Sequence, residues 1–91
     1  MSNVTSHSLV RTIRFKSANL PGILGKIATA IGKTGTNIGN ISMIHYGNRY
    51  VIRDIDVFVE GRPHLSRVLQ ELIKIPDIQI VEIRDAVLEL H

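Results

Sequence analysis

The sequence predicts an α+β fold in which four antiparallel strands form one sheet and two helices cover one face, in the order β-α-β-β-α-β. Three observations carry this. Two stretches repeat apolar residues at helical spacing: Ile23, Leu24, Ile27, Ala28 and Ile31, then Leu65, Val68, Leu69, Leu72 and Ile73. Four stretches around them show strand character. The middle two strands are separated only by Gly47, Asn48 and Arg49, which is hairpin length. The chain of 91 residues has room for one small domain.

Each element follows from local chemistry. Leu9 to Lys16 reads as a strand, with Ile13 and Phe15 alternating against Thr12, Arg14 and Lys16. Asn19, Leu20, Pro21 and Gly22 then form a turn. Proline suits a helix's first turn, where its missing N–H has no partner to lose. Asn19 is placed to cap the first helix or to meet a ligand. That helix ends near Gly35, expected in the left-handed conformation. Thr36 and Asn37 lead into a second strand, Ile38 to Tyr46. Its expected faces are Ile41 and Met43 on one side, Ile44 and Tyr46 on the other. Tyr50 to Glu60 is the third and longest strand. Gly61 to Pro63 break it and open a second helix, His64 to Ile75, which Pro76 and Asp77 stop. Ile78 to Arg84 is the fourth strand, and Ala86 to Leu90 either extend it or add an edge strand. Residues 1–8 are polar and expected to be disordered, leaving 9–91 as the domain. Two interlocked right-handed crossovers of this kind make a ferredoxin-like sandwich.

Composition narrows the function. Without cysteine there is neither a disulfide framework nor a thiolate site. Residues 1–8 lack the apolar core of a signal peptide, and no apolar run reaches membrane-spanning length. The expectation is a cytoplasmic protein with no membrane partner. The net charge is +3, and Arg11, Arg14, Arg49, Arg53, Arg62, Arg67 and Arg84 are dispersed. Tyr46, Tyr50 and Phe58 lack the K/R-G-F-G-F-V-x-F string of RNA-binding sheets, which speaks against nucleic acid.

Catalytic and cofactor constellations are absent too. Gly22 and Gly25 do not make a dinucleotide fingerprint. His7, His45, His64 and His91 include no i, i+4 pair for zinc. Asp54 and Asp56 share a strand face but lack further oxygen ligands. With Arg49 and Arg53 near to neutralise them, they read as a solvated face. Ser17, Ser42 and Ser66 sit in no nucleophile motif. No catalytic residue, metal or cofactor is expected.

Two features are left for function. The turn at Asn19 to Gly22 opens on a helix start, whose unpaired N–H groups favour a carboxylate or phosphate. In addition, Tyr50, Ile52, Phe58, Ile44, Tyr46 and either Val81 or Ile83 place apolar surface where two helices cannot cover it. Such surface marks a partner, and a homodimer through a sheet edge or the bare face is expected.

With the turn N-L-P-G, the strand start G-T-N-I and this element order, the chain resembles ACT domains from about Leu9 to Arg84. The resemblance implies a small regulatory module of a metabolic enzyme, responding to an amino acid or hydroxy acid. The strings V-I-R-D-I-D-V, I-P-D-I and R-D-A-V-L-E-L-H further resemble the ACT region N-terminal to the catalytic part of some bacterial malic enzymes. That likeness implies covalent fusion to an NAD(P)-dependent malate-decarboxylating domain, with no catalysis in this segment. In serine-responsive ACT domains, first-turn side chains and an Asn opening the second strand hold the effector. The matching positions are Asn19 and Asn37, with Leu20, Gly22 and Ile23 between. The same family implies that Asn19 and Asn37 meet across a dimer. Ser17 stands where that group has a histidine, so this anchor is shorter and uncharged. A different class of reading stays open: an assembly or nucleic-acid-binding module without a small ligand.

Overall fold

The computed structural model describes residues 9–85. In chain order the elements are β1 (Leu9–Ala18), α1 (Ile23–Gly32), β2 (Asn37–Tyr46), β3 (Tyr50–Val59), α2 (Arg62–Leu72) and β4 (Ile78–Asp85). This is the expected order. The strands form one antiparallel sheet, β2-β3-β1-β4, so β2 and β4 are its edges. The expectations for residues 1–8 and 86–90 lie outside the described residues.

Alternation builds the core. Ile13 and Phe15 of β1, with Val51, Ile55, Val57 and Val59 of β3, point to the helix side and are buried. Ile27 and Ile31 of α1, and Val68 and Leu72 of α2, close over them. Gly35 has φ +74°, the left-handed conformation the sequence predicts after a helix. Around it, Thr34 N–H bonds Ile31 O and Gly35 N–H bonds Gly32 O.

Some boundaries move. β1 runs on to Ala18, because Ser17 and Ala18 still pair with Val51 and Tyr50. α2 starts at Arg62, two residues early, with Pro63 in its first turn. It ends at Leu72, and looser turn bonds such as Ile75 N–H to Leu72 O carry the chain on.

One side-chain assignment is corrected. β2 slips register against β3 between Ile38 and Ile41 and again between Met43 and His45. The second slip inserts Ile44 as an extra residue and reverses the parity. Tyr46 therefore sits opposite Val51, on the same face as Ile41 and Met43, which oppose Ile55 and Arg53.

Candidate functional site

The β1–α1 turn is built around Gly22. It is the residue before α1 and has φ +83°, which an L side chain rarely adopts. The turn's bonds use Ile23 N–H, to Leu20 O at 3.3 Å, and Lys26 N–H, to Gly22 O at 3.1 Å. Leu24 and Gly25 N–H are claimed by no backbone carbonyl of this turn. No side chain caps α1 and its first turn holds no acid, so the positive end of the helix is uncompensated. Gly22 and Gly25 open onto a groove of about 610 Å³ between α1 and α2, where Lys26, Lys33 and Ile75 also lie.

Asn19 does not cap α1. Its side-chain Nδ2 donates to Gly47 O at 2.8 Å and its backbone N–H donates to Arg49 O at 3.1 Å. The reason is topological. Pairing of Ala18 with Tyr50 brings the β2–β3 hairpin beside the end of β1, and Asn19 is the next residue. The turn is thus stapled to the hairpin. Leu20 is exposed and Ile23 is buried.

Asn37 lies elsewhere. It opens β2 opposite Phe58, whereas Asn19 sits by the hairpin at the other end of that strand. Within one chain the two asparagines are kept apart by the length of β2.

Gly22→Val is expected to lower stability by about 1–2 kcal/mol, the cost of forcing a side chain into the left-handed region. A Cβ at Gly22 meets nothing within 4 Å, so the strain is in the backbone rather than in crowding. Thermal unfolding of the variant measures it, and an unchanged transition would refute this account of the turn.

The bare face of the sheet exposes Tyr50 and Phe58 as expected, but its acids are not a solvated pair. Asp54 is only 7% exposed. Arg14 grips it through Nε at 2.7 Å and Nη2 at 3.0 Å, and Arg84 Nη2 reaches it at 2.7 Å. Its neutralising partners therefore come from β1 and β4, not from Arg49 and Arg53. Arg53 sits opposite Phe15, on the helix side. Hydrogen bonds from Arg14 hold the Asp54 carboxyl below the usual range, desolvation opposes this, and Arg84 adds to the lowering. Asp56 accepts from Thr12 Oγ1 at 2.6 Å. Among the described residues, no three His, Cys, Asp or Glu side chains gather as a metal site.

The aromatic rings on this face are also engaged. Tyr50 stacks on His45, with centroids 5.0 Å apart, and Lys16 Nζ lies 4.4 Å from the Tyr50 centroid. The Phe58 ring lies over Gly39, where an added Cβ would approach it to 3.0 Å. Further apolar side chains are exposed on both edge strands: Ile41, Met43, Ile44 and Tyr46 of β2, and the expected Val81 and Ile83 of β4.

Two arrangements were missed in the sequence. His64 is buried and forms a polar chain: Glu60 N–H donates to Nδ1 at 3.0 Å, and Nε2 lies 2.7 Å from Thr36 Oγ1. The other is Arg53, whose Nη1 is buried with no hydrogen-bond partner among the described residues. An arginine among strand aliphatics was the available signal.

The chain is a two-layer sandwich with an open helix start at one end of its sheet. The chain belongs to the ACT domain family, whose model matches residues 6–82. ACT domains typically bind small ligands and regulate rather than catalyse. Over 84 residues the chain is 33% identical to NAD-dependent malic enzyme 1 of Bacillus subtilis, spanning 91% of this chain and 19% of that protein. The chain is thus about a fifth of that relative's length. The ACT domain from GTP pyrophosphokinase of Chlorobium tepidum superposes with TM-score 0.69 at 22% identity, covering 84% of this chain and 97% of that one. A putative glycine cleavage system transcriptional repressor gives TM-score 0.68 at 17% identity, over 92% of this chain and 49% of that one. At these identities the two structures speak for the fold alone. No helix among the described residues is long and apolar enough to cross a membrane.

Proposed function

We propose that this domain is an effector-binding regulatory unit of a cytoplasmic metabolic enzyme, a malic enzyme by its sequence likeness to one. It works as a homodimer. The effector is an amino acid or hydroxy acid, whose carboxylate docks beside Asn19, Leu20, Gly22 and Ile23. The observation that carries this reading is the uncapped start of α1. Leu24 and Gly25 N–H are left over, Gly22 has no side chain to block approach, and the first turn of α1 holds no acid. Asn19 keeps its Oδ1 for the ligand while Nδ2 is bound to Gly47.

The second asparagine comes from a partner. β2 is an edge strand with exposed apolar side chains, the kind of edge that invites pairing. Antiparallel pairing of two β2 edges about a two-fold axis sets the start of one strand beside the end of the other. Asn37 of the second copy then approaches Asn19. An effector held by both copies favours one dimer arrangement over others, and that difference in affinity is the source of an allosteric signal.

The test is a chemical-shift titration with malate, fumarate, aspartate, serine and branched-chain amino acids. The amides of Gly22 and Ile23 should move first, and Asn37 should move with them. Light scattering on the same samples should give twice 10.1 kDa at micromolar concentration. A monomer across a wide concentration range, or amides that no acid moves, would remove the proposal.

A further inference from the structure

We propose that Arg53 supplies the second anchor for the effector, binding a carboxylate through its guanidinium on the helix side of β3. This rests on the effector-binding reading above. Arg53 occupies a strand position whose neighbours on the same face, Val51 and Ile55, are fully buried aliphatics. Packing alone would be served as well by an apolar side chain. Instead a charged group is half-buried there. Its Nη1 is shielded from solvent and without a partner, and the guanidinium makes no hydrogen bond or ion pair among the described residues. Arg14 and Arg84, by contrast, are both paired with Asp54. A buried charged donor left unpaired is costly, so its presence points to a partner from outside the chain.

The setting suits a small acid. On one side Arg53 faces Phe15 of β1, which is buried. On the other it faces Met43 of β2, which is half open to solvent, as is nearby Ile41. Arg53 therefore lies where the helix cover gives out. The α1 entrance lies at the start of the same strand. Asn19 is bonded to Arg49, and Arg53 is four residues further along β3, roughly 13 Å at the rise of a strand. A guanidinium binds a carboxylate in a two-point fork and reads it with directional selectivity. The ligand class is thus a carboxylic acid with an apolar or hydroxylated stem that can lie against Met43 and Ile41.

The experiment follows the Arg53 Nε–Hε signal of the ¹⁵N-labelled protein during titration with malate, fumarate and aspartate, and with malamide as the uncharged control. The signal should move with whichever acid moves the amides of Gly22 and Ile23, and should stay still with malamide. Arg53→Met, which keeps length without charge, should melt at or above the parent temperature and bind that acid about tenfold more weakly or worse. If Gly22 and Ile23 shift while the Arg53 signal stays still, or Arg53→Met binds as the parent does, this inference fails and the effector reading stands. If no acid moves Gly22 and Ile23 in the parent, the effector reading itself fails. If Arg53→Met dissociates the dimer at unchanged acid affinity, the missing carboxylate is a partner side chain and the inference is overturned. Should Arg53→Met not fold, the parent's Nε–Hε titration decides alone.

Discussion

His64→Leu is expected to lower the unfolding free energy by about 1–3 kcal/mol, through buried polar groups left without partners. The side chain sits at the third position of α2 and reaches back to the N–H of Glu60, just before the helix. In a capping box a glutamate at this position bonds the N-cap N–H; here the ring reaches one residue further back, past Gly61. Because Nδ1 accepts there, the ring proton is on Nε2, aimed at Thr36 Oγ1 at 2.7 Å and Thr34 O at 3.2 Å. Thr36 Oγ1 is 2.7 Å from Thr34 Oγ1, which donates to Ile31 O at 2.6 Å. One hydroxyl chain thus joins the end of β3, the start of α2, the start of β2 and the end of α1. Leucine keeps most of the volume but strands Glu60 N–H and loosens Thr36. A double-mutant cycle with Thr36→Val, read by urea unfolding, should show coupling of at least about 0.5 kcal/mol. Additive losses would mean that the chain does not act as a unit.

The second large effect is at Asp54. Asp54→Asn is expected to cost about 1–2 kcal/mol at pH 7, below the figure for a fully dry ion pair because Arg14 and Arg84 reach solvent. The loss should depend on pH with a definite sign. A carboxyl whose folded pKa is lowered stabilises the fold fully above its unfolded value, near 3.8. That contribution disappears as pH falls through the lower folded value, where the native state too takes up the proton. Parent and variant should therefore differ most above the unfolded value and converge as pH falls below it. Denaturant unfolding between pH 2 and 7 measures the gap. A gap independent of pH would assign the effect to packing instead of charge.

The fold was legible because apolar spacing and turn chemistry agreed. Ile23, Ile27 and Ile31 on one helix face, with Gly35 as its stop, needed no long-range information. Element ends were less legible. β1 continues to Ala18 only because β3 is there to pair with it. The face of Tyr46 was misjudged because a bulge depends on the partner strand, and the sequence of β2 alone contains no mark of it. Asp54 was misread for the same reason: its arginines lie forty and thirty residues away in the chain. Of the site, the turn with Gly22 was visible in the residues. The bond from Asn19 to the hairpin was not, since it requires knowing that Ala18 and Tyr50 are neighbours.

The position of β1 also governs how the chain can be made. Among the described strands β1 is made first, yet both of its neighbours come late: β3, then β4. Until β3 has left the ribosome, Ile13 and Phe15 have no sheet to join, and until β4 follows, one side of β1 is an open ladder. No fragment of the domain that stops short of β4 contains a closed core, and β1 must stay unpaired until β3 has been made. The charges of β1, Arg11, Arg14 and Lys16, are of the kind that discourages a waiting strand from pairing with another copy.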